Sequence, residues 1–284
     1  MPDAVSGAQL AHCMSLPPKQ AIAYLQAKGY AISWDWEEVW QQAQAKAFTV
    51  AKVMRLDLLQ DIREAVEAAL KEGQTLAAFT KVLAPTLKAK GWWGRQEHID
   101  PDSGEITQVQ LGSAWRLRTI YRTNLQTAYM AGRYAEQLSN AENRPFWKYV
   151  AVLDKHTRAS HRAMNGKVFR HDDPFWQSFY PPNGWGCRCR VTTLSAGQVE
   201  RQGLVVDASA GKLGTVQKVV SQKTGEVRDV ATFTTVDPLT RKRIVVSPDV
   251  GWSYNPGAAS WQPELGSYGG SLADLARHEL KGRP

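Results

Sequence analysis

Apolar residues recur at helical spacing through the first half of the chain and give way to short extended runs in the second. In PPKQAIAYLQAKGY, Ala21, Ile22 and Leu25 share one helical face and Gly29 follows as a stop. A longer stripe through Phe48, Ala51, Val53, Met54, Leu58, Ile62, Ala65, Val66, Ala69 and Leu70 predicts a single long helix that Gly73 closes. Thr75 then caps TLAAFTKVLAPTLKAKG, where Pro85 predicts a kink or a break and Gly91 a second stop. With so short a connection, the two helices are expected to lie antiparallel. DPDSGE marks a tight turn within a turn-rich interruption, after which Ser113 opens a third long helix. Its apolar side is read as Trp115, Ile120, Tyr121, Leu125, Ala128 and Tyr129, with Arg116, Arg118, Arg122 and Arg133 on the remainder.

From Arg144 onward the pattern changes. FWKYVAVL, KVF after Asn165-Gly166, and CRCRVTTL read as strands. The loop between the last two holds Phe175, Trp176, Phe179, Tyr180 and Trp185, which must fold back onto the body or meet a partner. Beyond Ser195 the chain alternates as β-hairpins, with turns at Lys223-Thr224-Gly225 and Asp237-Pro238, and SLADLARHELKG reads as a short final helix. The expected fold class is α+β. A helical region of long antiparallel helices spans 1–145, a small mixed α/β module with short strands spans 146–200, and a β-hairpin and loop-rich extension spans 201–284.

The composition narrows the function classes. At 284 residues with 43% hydrophobic and 22% charged, the chain can bury a core, which excludes the disordered and collagen-like classes. The net charge of +8 is uneven: 16 basic and 15 acidic residues fall in 1–145, 8 and 4 in 146–200, and 11 and 8 in 201–284. This surplus permits contact with a polyanion such as double-stranded DNA, for which Arg116, Arg118, Arg122 and Arg133 are the candidates, although a solvated helix face would look the same. Three cysteines cannot build a disulfide scaffold and suit a reducing compartment. No apolar run approaches a membrane span and no secretory signal pattern opens the chain, so neither membrane insertion nor export is expected. Of 11 tryptophans, Trp92, Trp93, Trp176, Trp185, Trp252 and Trp261 fall in turn-like or loop-like strings, and the surface they form is expected to be finished by neighbouring proteins.

The candidate chemistry is concentrated in the middle of the chain. Asp154, His156, Thr157, Arg158 and His161 lie within eight residues, and Cys187 and Cys189 follow later. One histidine and two cysteines make a partial zinc set. A strand through Cys187 and Cys189 is expected to hold the two thiols apart, and His156 and His161 have neither helix-pair nor turn-pair spacing. No metal and no cofactor is therefore expected; His161, Cys187 and Cys189 are the ligands a metal would use. A relay of Asp154, His161 and a cysteine, or Ser160 with His156, is also conceivable, but no nucleophile elbow, phosphate-binding glycine loop or H-E-x-x-H helix accompanies it. Asp154 is instead expected to cap the helix that contains Ser160 to Met164.

Seven strings in order, AFTVAKV, LDLLQDIREAVEAALKEGQTL, LKAKGWWG, RLRTIYRTNLQTAYMAGR, DKHTRASHRAMNGKVFRHDDPFW, PPNGWGCRCRV and SPDVGWSYNPG, resemble the Mu F-like minor head proteins, the head morphogenesis proteins of tailed phages and prophages. The resemblance runs from about Phe48 to Gly257. It implies a structural, non-enzymatic protein made in the host cytoplasm that joins the virion head at or near the portal vertex. The implied partners are the portal protein and the major capsid or scaffold proteins, with non-specific DNA contact. The alternative is a particle-delivered nuclease or transferase effector using Asp154, His156 and His161. Many relatives carry C-x-x-C and a later H-P-N-C-R-C, which reads as a zinc-type set. Here Arg158 and His161 stand at the first pair and Gly184 at the later histidine, while Cys187 and Cys189 are kept. The motif residues implied to have a structural or interaction role are Asp154, Thr157, Arg158, His161, Asn165, Gly166, Cys187, Arg188 and Cys189.

Overall fold

A computed structural model describes residues 18–100, 104–222 and 224–261. The final helix expected in SLADLARHELKG, and the first residue of the turn at Lys223, lie outside the described residues. The chain is α+β, built around two apolar cores that share one long helix.

The first core is helical. Helix α1 (Lys19–Ala27) is followed by a short strand β1 (Gly29–Tyr30), a 3-10 turn (Trp36–Glu38), α2 (Gln42–Lys46) and β2 (Ala47–Phe48), which pairs parallel with β1. Helix α3 (Leu56–Glu72) begins only here, so the single long helix expected from Phe48 onward is corrected. Phe48 and Val50 are buried at a spacing of two in extended chain. Lys52 takes a left-handed φ of 64° and donates its N–H to the Ser33 and Trp34 carbonyls, which no helix would permit. From Leu58 the expected stripe holds: Leu58, Leu59, Ile62, Val66, Ala69 and Leu70 are all buried. Gly73 ends α3 at φ 64°, its N–H returning to the Ala69 carbonyl. Arg63, buried on α3, donates to the Leu25 and Gln26 carbonyls at 3.3 and 2.9 Å and so ties down the C-terminal end of α1.

Thr75 caps α4 (Leu76–Ala89) by accepting from the Ala78 N–H. The helix runs through Pro85 without a break, because Leu83 and Leu87 are buried on either side of an exposed proline and offset the lost backbone bond. The interruption that follows is a hairpin, β3 (Arg95–Ile99) with β4 (Ile106–Gln110), in register from Arg95 opposite Gln110 to Ile99 opposite Ile106.

Ser113 accepts from the Arg116 N–H and opens α5 (Ala114–Ser139). Its buried side is Leu117, Ile120, Ala128, Met130 and Ala131. Trp115 and Tyr129, expected on that side, are exposed, Trp115 to 68%. Gly132 lets α1 come close, since a Cβ there would sit 2.7 Å from the Ala21 nitrogen.

The second core is aromatic. Strands β5 (Phe146–Val150), β6 (Val168–Arg170) and β7 (Arg190–Leu194) form an antiparallel sheet in the order β6-β5-β7, with helix α6 (Ala159–Met164) between β5 and β6. The short α7 (Phe175–Phe179) folds the aromatic loop back onto the sheet, so that Phe169, Phe175, Trp176, Phe179 and Tyr180 are all buried with Trp147. After α8 (Ala196–Arg201), a second antiparallel sheet of β8 (Leu213–Val219), β9 (Val227–Val236) and β10 (Arg243–Val246) delivers Phe233 and Val246 into the same core, and α9 (Pro256–Trp261) follows. Trp92, Trp176 and Trp252 are buried, which corrects the expectation that these loop tryptophans lie on the surface; Trp185 is 39% exposed. Burial of an indole is the larger gain wherever its loop can reach a core.

Two outcomes are expected. Phe233→Ala should destabilise the protein by about 3–5 kcal/mol, because its ring contacts Phe169, Phe175 and Phe179; a loss typical of a surface site in urea unfolding would contradict this. Lys28, 8% exposed with its ammonium over the Tyr24 ring, is pulled down to about 7 by burial and then by Arg63. The unfolded chain holds that proton up to a pH of about 10.4, so this group makes stability rise with pH from about 7 to about 10. Urea midpoints for Lys28→Met should lack that part of the rise and exceed the wild type most at the lower end; parallel pH profiles would refute it.

Candidate functional site

The residues singled out in the sequence gather where β5, α6 and the approach to β7 meet. As the chain leaves β5, the Asp154 carboxylate accepts from the His156 N–H at 3.0 Å and the Thr157 hydroxyl at 3.1 Å, forming a local turn. Arg188 clamps the same carboxylate with two bonds of 2.6 and 2.7 Å. Those bonds hold Asp154 well below the usual carboxylate range. Asp154 does not cap α6, whose first turn follows Arg158 without a side-chain cap. The carboxylate closes a turn four residues upstream instead. Asn165 accepts from the Ala151 N–H at 2.9 Å, and Gly166, at φ 80°, donates to the Tyr149 carbonyl at 2.8 Å, so the Asn-Gly pair fixes the return from α6 to β6.

Helix α6 points His161 inward. Its Nδ1 lies 3.3 Å from Cys189 Sγ and 3.9 Å from Cys187 Sγ, and all three residues are buried. Their donor atoms fall within 4.8 Å of one another. The expected separation of the two thiols is therefore corrected. Residues i and i+2 of an extended chain face the same side, so Cys187, Cys189 and Val191 point into the core while Arg188 and Arg190 point out. The Cys187 thiol is drawn below its ordinary value, chiefly by the neighbouring Cys189 thiol, and Cys189 is pushed up by the same neighbour.

The two remaining positions of the motif are closed differently. Arg158 donates to the Trp185 carbonyl at 2.7 Å and pairs with Asp249 at 3.3 Å. A Cβ on Gly184 would fall 2.1 Å from the Asp249 carboxylate and 2.9 Å from the Arg158 guanidinium. The ion pair occupies the space that a side chain at 184 would need. Zinc in a closed site takes four N or S donors, and among the described residues His161, Cys187 and Cys189 supply three; the residues present do not complete the set.

The catalytic groupings assemble only in part: His161 meets the cysteines, but among the described residues no hydrogen bond joins Asp154 to His161 or Ser160 to His156, and His156 is exposed on the turn while His161 is buried. The four arginines of α5 separate as well. Arg116 is bound to the Gln110, Leu111 and Ala51 carbonyls and acts as a structural strut. Arg118, Arg122 and Arg133 are exposed and project within about 60° of one another around the helix axis.

Residues 60–192, which contain this whole constellation apart from Asp249, match the family model described as Phage Mu protein F like protein. The chain is 48% identical over 254 residues to the putative capsid assembly protein F of Escherichia phage Mu, covering 89% of this chain and 57% of that protein. In this stretch the chain resembles the Mu F-like proteins. It is also 46% identical over 237 residues to the Mu-like prophage FluMu F protein of Haemophilus influenzae, covering 82% of this chain and 55% of that protein. It thus spans somewhat over half the length of these relatives. No solved structure matches it.

The three-donor set predicts less than stoichiometric zinc in purified protein by elemental analysis, and a melting temperature indifferent to chelator. One equivalent of zinc, with a chelator-sensitive melting temperature, would show that the three donors suffice.

Proposed function

We propose that this chain is a minor head protein acting in head morphogenesis of a Mu-like tailed phage or prophage. The observation that carries the reading is the 48% identity, extending over 89% of the chain, to a protein named for capsid assembly. Made in the host cytoplasm, the protein joins the head at or near the portal vertex and has the portal protein and the major capsid or scaffold proteins as partners.

The geometry of the motif supports assembly over catalysis. His161, Cys187 and Cys189 are closed inside, and Asp154 is clamped by Arg188, so the region offers a rigid shaped loop and no convergence of accessible reactive groups. The protein works without catalysing a reaction. Contact with packaged DNA falls to exposed cations such as Arg133 on α5 and Arg190, the latter within the basic excess downstream of residue 145. Among the described residues no helix is long and apolar enough to cross a membrane.

Mass spectrometry of purified particles and procapsids is expected to find the chain in both. Its absence from both would overturn the proposal.

A further inference from the structure

A cleft of about 780 Å³ lies between the segment after α1, helix α5 and the loops carrying Trp185 and Trp252. Its volume falls among sites that enclose a drug-sized ligand, about 300–1,000 Å³. Trp36, Trp115, Trp185 and Trp252 all line it. Trp185 meets Trp36 edge-on at 6.4 Å and Trp252 at 5.1 Å, so part of this aromatic wall is already braced.

The charge inside is one-sided. Asp35 is the single carboxylate among the lining residues, and Lys52 holds it at 2.9 Å. Arg116, also in the wall, is bound by three carbonyls. Lys28, Arg118 and Arg122 line the cleft too, and among the described residues their cationic heads have no hydrogen bond and no ion pair. Lys28 is 8% exposed, and a buried ammonium without a hydrogen-bonding partner is unfavourable until something supplies one. The Thr123 hydroxyl, in the same wall, is buried and unpartnered as well.

We infer that this cleft binds an acidic peptide segment of a partner protein, with carboxylates met by Lys28 inside and by Arg118 and Arg122 one turn apart on α5, and a large apolar side chain seated among the tryptophans. The site stands whether or not the chain is a head component. A peptide fits these observations better than nucleic acid does. The convex face of a DNA duplex can reach the exposed arginines but not an ammonium buried in a concave apolar site, whereas an extended chain can place a carboxylate and an aromatic ring together inside it. The drop of Lys28 to about 7 agrees with this, since it marks an ammonium that lacks a counter-charge.

Selecting a random-peptide mRNA-display library on the intact chain, followed by fluorescence anisotropy on the recovered peptides, tests the inference. The expected binders are rich in Asp and Glu around a large apolar residue. Their affinity should fall about tenfold or more on Lys28→Met, and likewise on Arg118→Glu with Arg122→Glu, and stay unchanged on Arg201→Glu, with thermal unfolding confirming that each variant folds. Lys28→Met removes a buried charge at similar volume, and the two arginines are exposed, so neither variant should disturb the fold. Failure to recover an acidic consensus, or binding indifferent to Lys28→Met, overturns it. So does a short DNA duplex that displaces the peptides through Arg118 and Arg122 regardless of Lys28, which would assign those arginines to nucleic acid.

Discussion

Helix α5 has to be buried on two sides at once, and the positions of the motif and the cleft follow from that requirement. Leu117, Ile120, Ala128 and Ala131 belong to the helical core, while Met130 belongs to the aromatic one with Tyr134 packed against it. Three polar side chains complete the attachment. Gln126 and Gln137 donate to the Cys189 and Val191 carbonyls, both at 2.9 Å, and the Tyr180 hydroxyl donates back to Gln137. The segment that carries both cysteines is thereby hydrogen-bonded along a helix whose other side is fixed in the first core. The free face of the same helix supplies one wall of the cleft.

The second core shows how short strands can still make a firm support. Strands of three to five residues bury little aliphatic surface, so stability there depends on ring size: each aromatic buries about 150–250 Å². Phe175 stacks on Phe169 and Phe179 at 4.3 and 4.9 Å, and Phe233 from β9 meets all three edge-on. Asn255 extends the same logic at the surface of this core, donating to the Trp176 carbonyl and accepting from the first N–H groups of α9. His161 and the two cysteines sit against this packed body, which holds them in place although most members of the motif lie outside regular strands.

Much of the helical half was legible because its signals are local. Gly73, Thr75 and Ser113 act at the positions their residue types predict, and the stripe from Leu58 to Leu70 is a face that any 3.6-residue period would reveal. The failures share a different cause. Phe48, Ala51 and Val53 look helical by spacing, yet the Lys52 turn is fixed by the Ser33 and Trp34 carbonyls, and the Lys52 carbonyl accepts from the Trp92 indole 40 residues away. Arg116 resembles a solvated cation in sequence and becomes a strut only when the Ala51 carbonyl arrives from 65 residues away. The clamp of Arg188 on Asp154 spans 34 residues and leaves no periodic trace. The pairing of Cys187 with Cys189 on one face, by contrast, was available from the pleat of extended chain alone. The loop tryptophans could not be placed by string composition, because burial depends on where α7 and the segment after β10 land. The family strings include Arg118, Arg122, Trp185 and Trp252 but not Lys28 or Trp36, and strings alone do not reveal a cleft whose walls come from four separate stretches of chain.

If α5 joins the two cores, its backbone amides should report a single opening. Native-state hydrogen exchange along residues 114–139 measures this most directly. The coupling predicts that the buried amides from Leu117 to Ala131 exchange together with those of β5 and of α3, all at the free energy of global unfolding. A first half of α5 that opens with α3 while its second half stays protected with β5 would contradict it.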